Sequence, residues 1–152
     1  MSKHLHAIWI TVAIVTGLLL LFVAPKVLGQ LPTVNTQGGV SYLSGGIGDD
    51  EEVEIRRAAK DFGVLLEFSE VERGTSHGRW TADVKISIKS GTSTVLTAVA
   101  DGPLMLVKLQ PGIYVAEAER QGVKQMRRFE VKANAVTRDR IFWIVDESLN
   151  PR

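Results

Sequence analysis

The sequence predicts a mainly β protein in which seven short antiparallel strands form a two-layered sandwich with one short helix beside it. From Val64 onward, apolar and polar residues alternate, as they do in strands with one buried and one solvated face. Turn-forming Gly, Pro and Asp residues interrupt the alternation roughly every 8–12 residues, which is typical of a sandwich. A single sheet this apolar would leave one face exposed, so a second layer is required.

Seven segments carry the alternating pattern, and they place the sandwich domain at residues 64–147. The clearest is Trp80–Lys89, in which apolar side chains point one way and charged or hydroxyl side chains point the other. Gln121-Gly122 predicts a tight hairpin turn. The predicted strands are Val64–Val71, Trp80–Lys89, Thr94–Ala100, Leu104–Leu109, Ile113–Arg120, Val123–Val131 and Arg140–Val145.

One helix is predicted in front of the sandwich, over residues 49–63. Asp49 or Asp50 can cap its first turn, which is rich in the acids that a helix dipole favours, and Gly63 ends it. An apolar stripe at helical spacing is expected to lie against the sheet. The stripe contains Val53, Ala59 and Phe62, with Ile55 and Ala58 beside them.

Residues 1–29 have the character of a hydrophobic signal or anchor helix. A basic start precedes an uncharged run of 18 residues (7–24), and Val27 and Gly29 occupy the small-residue positions that precede a signal cleavage site. Eighteen residues fall between a signal core of roughly 7–15 and a membrane span of about 20, so a cleaved signal and a retained anchor both stay open. Either places the body outside the cytoplasm, as a periplasmic, secreted or inner-membrane-anchored domain.

Residues 30–48 join the hydrophobic segment to the helix. They are rich in Gly, Ser, Thr and Asn, which indicates a linker. Tyr42, Leu43 and Ile47 could dock onto the domain, so we expect the second half of this segment to be an ordered loop.

The middle of the chain resembles a known family. After the turn Ala100-Asp101-Gly102, the segment Leu109-Gln110-Pro111-Gly112-Ile113-Tyr114 matches the "L-x-P-G-x-Y" corner of the carboxypeptidase-regulatory-like domain. The resemblance covers about residues 80–132 and implies a Greek-key sandwich of the transthyretin-like, or prealbumin-like, type. The chain resembles the stand-alone exported proteins of proteobacteria that carry this fold. Its helix and the loop before the helix depart from the minimal domain.

Neither the family nor the composition implies catalysis. The related hydroxyisourate hydrolases end in "Y-R-G-S", whereas this chain ends in Ser148-Leu149-Asn150-Pro151-Arg152. With no cysteine, thiolate chemistry and Cys-based metal sites are excluded. His77 lies in a Gly/Ser/Thr turn with no nucleophile or orienting acid assigned to it. The acids of residues 49–54 lack the alternating Asp-x-Asp-x-Asp-Gly spacing of a calcium loop. We therefore expect no enzyme activity, no metal and no cofactor.

The charge distribution suggests one candidate surface and argues against one class of partner. After residue 29 the chain has 16 Lys and Arg against 17 Asp and Glu, and this balance disfavours nucleic acid. A basic hairpin, which could meet an anionic lipid or protein surface, contains Arg120, Lys124, Arg127, Arg128 and Lys132. Two plainer interpretations are favoured: the acidic helix lies near this hairpin within one molecule, or the charges keep exposed strands from pairing.

Four aromatic residues, Trp80, Phe129, Phe142 and Trp143, could form a carbohydrate platform, although aromatic residues in alternating strands more often belong to a core. Phe142 and Trp143 point to opposite faces, and Trp143 is the first to test. Our main hypothesis is a non-enzymatic envelope accessory that contacts a protein partner through a sheet edge or the basic hairpin, with membrane contact through residues 7–24. The alternative is a glycan- or peptide-binding domain with an exposed aromatic site.

Overall fold

The structure, a computed structural model, describes residues 29–146 and is mainly β, with two sheets and one helix. The predicted signal or anchor segment, residues 1–28, lies outside the described residues, as do residues 147–152. Within the described range, no helix combines the length and the apolar character needed to cross a bilayer.

All seven predicted strands are present, and three short strands are added to them among the described residues. The helix α1 spans Asp49–Phe62 as predicted. The strands are β1 (Asn35–Gln37), β2 (Val40–Gly45), β3 (Gly63–Glu72), β4 (Gly78–Trp80), β5 (Val84–Ser90), β6 (Ser93–Ala100), β7 (Leu104–Lys108), β8 (Gly112–Arg120), β9 (Val123–Val131) and β10 (Thr137–Val145).

The strands form two sheets that pack face to face. The first sheet has the order β1-β2-β7-β3-β10, with β4 also paired to β3, and the second has the order β6-β5-β8-β9. The expectation of purely antiparallel pairing is wrong at one place, since β10 runs parallel to β3 along its whole length. The strand β10 follows β9 of the opposite sheet. After the chain crosses between the sheets, β10 runs in the same direction as β3.

The main core lies between the two sheets. Alternate residues of each strand point into it, so the period-2 pattern read from the sequence is a burial pattern. Val84, Ile86 and Ile88 of β5 are buried as expected. The largest residues that face them belong to β3, β7 and β10, and they are Phe68, Met105, Ile141 and Trp143.

Helix α1 covers part of the other face of the first sheet. Ile55, Ala58 and Ala59 pack on a second apolar cluster formed by leucines of β2, β3 and β7. The expectation that Val53 would share this face is wrong, because Val53 is 52% exposed. Gly63 ends the helix in the left-handed conformation, with φ 91°, and donates its N–H to the Ala59 carbonyl, as predicted.

The start of α1 is built differently from the prediction. Gly48 is the N-cap, and neither Asp49 nor Asp50 makes a side-chain cap. Instead the Glu51 carboxylate accepts the N–H groups of Gly46 and Ile47, at 2.9 and 3.2 Å. A glutamate in the first turn thus reaches back to satisfy the donors that precede the helix.

The segment interpreted as a linker contains strands β1 and β2. Val40–Gly45 alternates in the same way as the later strands: Tyr42 packs against the core between the sheets, and the fully buried Leu43 lies under the helix. The many Gly and Ser residues of this segment made the alternation difficult to recognise in the sequence. Ile47 does not dock, since it is 77% exposed.

The long predicted strand Trp80–Lys89 is divided between the two sheets. Asp83 takes a positive φ of 57°, which breaks the alternation, and the Thr81 N–H bonds the Phe68 carbonyl at 3.2 Å. As a result β4, with Trp80, belongs to the first sheet, and β5 belongs to the second.

Candidate binding site

The five basic residues of the predicted hairpin are dispersed over the sandwich. Arg120 points toward the interior at the end of β8, where it pairs with the buried Glu70 of β3 and donates to the Ala82 carbonyl at 3.4 Å. This ion pair joins the second sheet to the first. Arg120 therefore holds the two layers together and is not part of a free basic surface.

Lys124 and Arg128 lie on the outer face of the second sheet. Lys124 Nζ donates to Glu117 Oε1 at 2.8 Å, and this hydrogen bond raises the pKa of Lys124 and lowers that of Glu117. Arg128 is exposed beside Ile113 and Glu130, above a shallow hollow of about 340 Å³. Carboxylates interleave with the lysines on this face, so it presents no field of one sign.

Arg127 and Lys132 complete the hairpin. Arg127 donates to the Arg140 carbonyl at 3.2 Å, and its guanidinium lies 5.5 Å from the centre of the Phe142 ring. Lys132 lies 3.9 Å from Glu130. The ion pairs of the hairpin thus go to glutamates of the sandwich itself, whereas Glu52 and Glu54 of α1 pair with arginines of their own helix. These ion pairs therefore give no support to the interpretation that the acidic helix lies near the hairpin.

Trp143 is not an exposed binding residue. Only 4% of its surface is exposed, it packs in the core between the sheets, and its Nε1 donates to the Val123 carbonyl at 2.9 Å. Parallel pairing with β3 places it on the inner side, and this leaves its neighbour Phe142 on the outer side, 37% exposed. The expectation that Phe142 and Trp143 point to opposite faces is confirmed. The exposed one of the two is Phe142.

Both long sides of the sandwich are closed by bonds from side chains to the backbone. The Gln37 side chain accepts the Thr97 N–H of edge strand β6 at 2.7 Å. At the opposite side, where β9 approaches β10, Arg127 and Trp143 each donate a hydrogen bond to a backbone carbonyl of the other sheet. These bonds occupy one backbone group each of β6, β9 and β10, so a docking strand would find these three positions already bonded.

One part of the first sheet is left uncovered by α1. The helix lies over β2, β7 and the first half of β3, and no other part of residues 29–146 covers the outer face of the second half of β3 with β4 and β10. We call this surface the aromatic shelf. It consists of Ser69, Val71, Trp80, Arg140, Phe142 and Ile144.

The register of the strands aligns the aromatic shelf in two rows. Ser69 pairs with Trp80 on one side and with Phe142 on the other, so these three residues lie side by side on one face. The next row is formed by Val71 between Gly78 and Ile144. Trp80 is 44% exposed and Ile144 is 57% exposed, which gives a contiguous apolar surface that the described residues do not cover.

A half-open hollow of about 210 Å³ sinks into the aromatic shelf. Its lining includes the largely buried Ser69 together with Trp80 and Arg140. The lining residues are Ser69, Val71, Ser76, Gly78, Arg79, Trp80 and Arg140. The hollow offers apolar walls, hydroxyl groups and guanidinium N–H donors.

Two arginines hold the ring of Trp80 in place. The guanidinium carbons of Arg56 and Arg140 lie 5.9 and 5.7 Å from the ring centre, within the range of cation–π attraction. Both arginines also bond Glu67, Arg56 at 2.6 Å and Arg140 at 3.0 Å. Partial burial by itself raises the pKa of Glu67, but the hydrogen bonds and charges of the two arginines outweigh it and hold the pKa below its ordinary value.

A second ion cluster lies beneath the other wall of the hollow. The buried Glu70 carboxylate pairs with Arg79 at 2.7 Å and with Arg120. Arg79 comes from β4 and Arg120 from β8, so one carboxylate ties together three strands of two sheets. Among residues 29–146, no group of three or more His, Asp or Glu side chains is arranged to hold a metal ion.

Trp80 is the residue that sequence reasoning placed wrongly. Continuous alternation from Trp80 to Lys89 puts its side chain in phase with Val84, and hence in the core. The positive φ of Asp83 breaks that phase, and Trp80 joins the other sheet on its outer face. The signal in the sequence is weak: Thr81-Ala82-Asp83 interrupts the strand with an Asp at a position that tolerates the left-handed conformation.

Comparison with models of known protein families gives no match, and no characterised protein is significantly similar to the chain. The function is therefore inferred from the geometry of the aromatic shelf and from the sequence.

Proposed function

We propose that this chain is a non-enzymatic, exported binding module of the bacterial envelope that contacts a protein partner through the aromatic shelf. The observation that carries the proposal is the exposed Trp80, fixed between two arginines on an uncovered sheet face. A rigid, half-exposed aromatic residue with an apolar surround is typical of an interface hot spot.

The chemistry of the aromatic shelf favours a protein over a small molecule. Trp, Phe and Arg are the residue types enriched where proteins meet, and all three are present here. The hollow, at about 210 Å³, is below the roughly 300–1,000 Å³ of small-molecule pockets. It is large enough for one anchoring side chain, while Phe142 and Ile144 extend the contact beyond it.

The proposal includes a transthyretin-like topology for the sandwich, as the resemblance implies. The chain leaves β6 for β7 in the opposite sheet and returns in β8 beside β5, a crossing compatible with Greek-key sandwiches. The Tyr114 hydroxyl donates to the Gln110 carbonyl at 2.9 Å, which ties the "L-x-P-G-x-Y" corner to the strand that follows it. Such a tyrosine corner stabilises other Greek-key sandwiches.

The hydrophobic segment of residues 7–24 supports export as part of the proposal. A cleaved signal would release the domain into the periplasm or medium, and a retained anchor would hold it at the inner membrane. In either case the shelf would face partners of the envelope.

Glycan binding, the second candidate, receives less support from the aromatic shelf. Sugars bind by stacking on a bare aromatic face, but the guanidinium groups of Arg56 and Arg140 already lie against the ring of Trp80. A sugar would have to displace one of them from its bond to Glu67. The buried Trp143 offers no face at all.

Site-specific photo-crosslinking in intact cells tests the proposal. A crosslinker at Ile144, on the aromatic shelf, should capture a defined envelope protein, and one at Val99, equally exposed on the second sheet, should not. The captured protein is then purified and titrated against the full chain. We expect Trp80→Ala to weaken the complex at least about tenfold, with Val99→Ala unchanged. Equal capture at both positions, or an affinity unaffected by Trp80→Ala, contradicts the proposal.

A further inference from the structure

The charged residues of the described chain that line the hollow are the arginines Arg79 and Arg140. The acids that pair with these arginines lie below the surface: the side chain of Glu67 is 13% exposed and that of Glu70 is 5% exposed, against 60% for Arg140. The side chain of Arg79 points with that of Glu70 to the inner side of β3, so a ligand on the aromatic shelf meets the guanidinium of Arg140 first.

Arg140 keeps donors available for a ligand. Its Nε and Nη2 donate to Glu67 Oε2 at 3.3 and 3.0 Å. A guanidinium has five N–H groups, so these bonds leave three of them for other acceptors. Because Glu67 fixes the plane of the group, the remaining donors are pre-oriented beside Trp80 and lose little entropy when they bind.

We infer that the aromatic shelf binds an acidic peptide segment of the partner, in which an apolar anchor residue is flanked by Asp or Glu. The anchor side chain fills the hollow against Trp80 and Val71, and the neighbouring carboxylate accepts hydrogen bonds from Arg140. This inference rests on the proposed function and adds to it the chemical class of the partner. Charge complementarity is the argument for it: the exposed guanidinium of Arg140, held over the largely buried Glu67, selects a carboxylate.

Other anionic ligands fit the surface less well. Nucleic acid and anionic membranes require a broad positive field, whereas the second sheet interleaves lysines with glutamates and the chain after residue 29 is nearly neutral. A single hollow with one apolar wall and adjacent guanidinium groups fits one side chain and one carboxylate.

Selection from a random peptide library displayed on phage tests the inference, with the purified full chain in detergent micelles as bait. We expect enrichment of peptides in which Phe, Leu, Ile or Trp adjoins Asp or Glu. An enriched peptide, resynthesised, should bind Arg140→Gln about tenfold more weakly than wild type. Arg128→Gln, an exposed arginine of the second sheet, is the matched control and should not change the affinity.

The outcomes distinguish a failure of the acidic-peptide inference from a failure of the proposed binding surface. Enriched peptides that need Trp80 but lack acidic residues overturn the inference and leave the proposed function standing. Enriched basic sequences do the same. If no peptide depends on Trp80, the inference and the proposed binding surface both fail. Capture of phage by charge alone, abolished equally by Arg128→Gln and Arg140→Gln, also contradicts the inference.

Discussion

Two tryptophans of this chain show how neighbouring backbone determines the role of a residue. Trp143 lies inside the sandwich with its indole N–H bonded to a carbonyl of the opposite sheet. Trp80 lies on the outside of the same sheet, with its ring held by cations rather than by apolar packing. The first residue therefore contributes to stability, and the second is available for recognition.

Replacement of Trp143 by Ala should destabilise the fold strongly. It leaves a cavity in the core and removes the hydrogen bond that the indole donates to the Val123 carbonyl. We expect the free energy of unfolding in denaturant to fall by about 3–5 kcal/mol. Phe142→Ala, one residue away on the outer face, should cost about 1 kcal/mol or less. Equal losses from the two variants would mean that the burial of Trp143 is wrongly assigned.

Replacement of Glu67 by Gln should change how stability depends on pH. The arginines lower the pKa of Glu67 in the folded chain, so below about pH 5 the unfolded chain takes up its proton first, and the stability contributed by this carboxylate falls as acid is added. Glu67→Gln should therefore lose less stability than wild type between about pH 5 and pH 3. Denaturant titrations across this range measure the difference. An equal loss of stability in wild type and Glu67→Gln over this range would contradict the role assigned to the carboxylate.

At the scale of elements, the cluster of Glu70, Arg79 and Arg120 acts as a clamp between the sheets. Its carboxylate is buried, and its two cations come from different sheets. Arg120→Gln leaves one of the two ion pairs and should lower the free energy of unfolding by about 2 kcal/mol. Arg128→Gln, from the same hairpin but facing solvent, should change it by less than about 0.5 kcal/mol. A larger loss of stability from Arg128→Gln than from Arg120→Gln would contradict the assignment of Arg120 as the contact between the sheets.

The hydrogen bond between Gln37 and the Thr97 amide of β6 leads to a separate prediction. Because the Gln37 side chain accepts the Thr97 N–H, that amide should exchange slowly with solvent deuterium although it lies on an edge strand. Gln37→Ala should speed the exchange at Thr97 about fivefold, the effect of one lost hydrogen bond. The Val99 amide, two residues along the same edge, serves as the internal control. An unchanged rate at Thr97 would show that the edge is protected by something other than Gln37.

Most elements were predictable because they repeat a simple period. The helix Asp49–Phe62 and the seven predicted strands follow from the spacing of apolar residues, and the hairpin at Gln121 and Gly122 has positive φ angles. The strands β1 and β4 were missed because they have three residues each, too few to show a period. The strand β2 was missed because Gly and Ser surround its short apolar pattern.

The candidate site depends on long-range pairing, and for that reason the sequence did not reveal it. The aromatic shelf exists because β10 runs parallel to β3 and because Asp83 sends Trp80 into the first sheet. Neither feature leaves a periodic mark in the sequence. The basic hairpin is the converse case: its charges are adjacent in sequence, but alternation along the strands sends them to opposite faces.

At the scale of the whole molecule, some surfaces are covered or charge-balanced and one apolar surface is left for binding. Side chains bond the backbone on both long sides of the sandwich, ion pairs neutralise charges on the outer face of the second sheet, and α1 covers part of the first sheet. The aromatic shelf is a contiguous apolar surface that this arrangement leaves open among the described residues. A module tethered or exported by its N-terminal segment would present that surface to its partner.

Hydroxyl-radical footprinting of side chains, on the full chain alone and in native envelopes, tests this central claim most directly. Trp80 and Phe142 report on the aromatic shelf, and Met126, 69% exposed on β9, reports on the basic hairpin. We predict that oxidation of Trp80 and Phe142 falls in the envelope while oxidation of Met126 does not change. Protection of Met126 with Trp80 still fully reactive would contradict the account and return the contact to the hairpin.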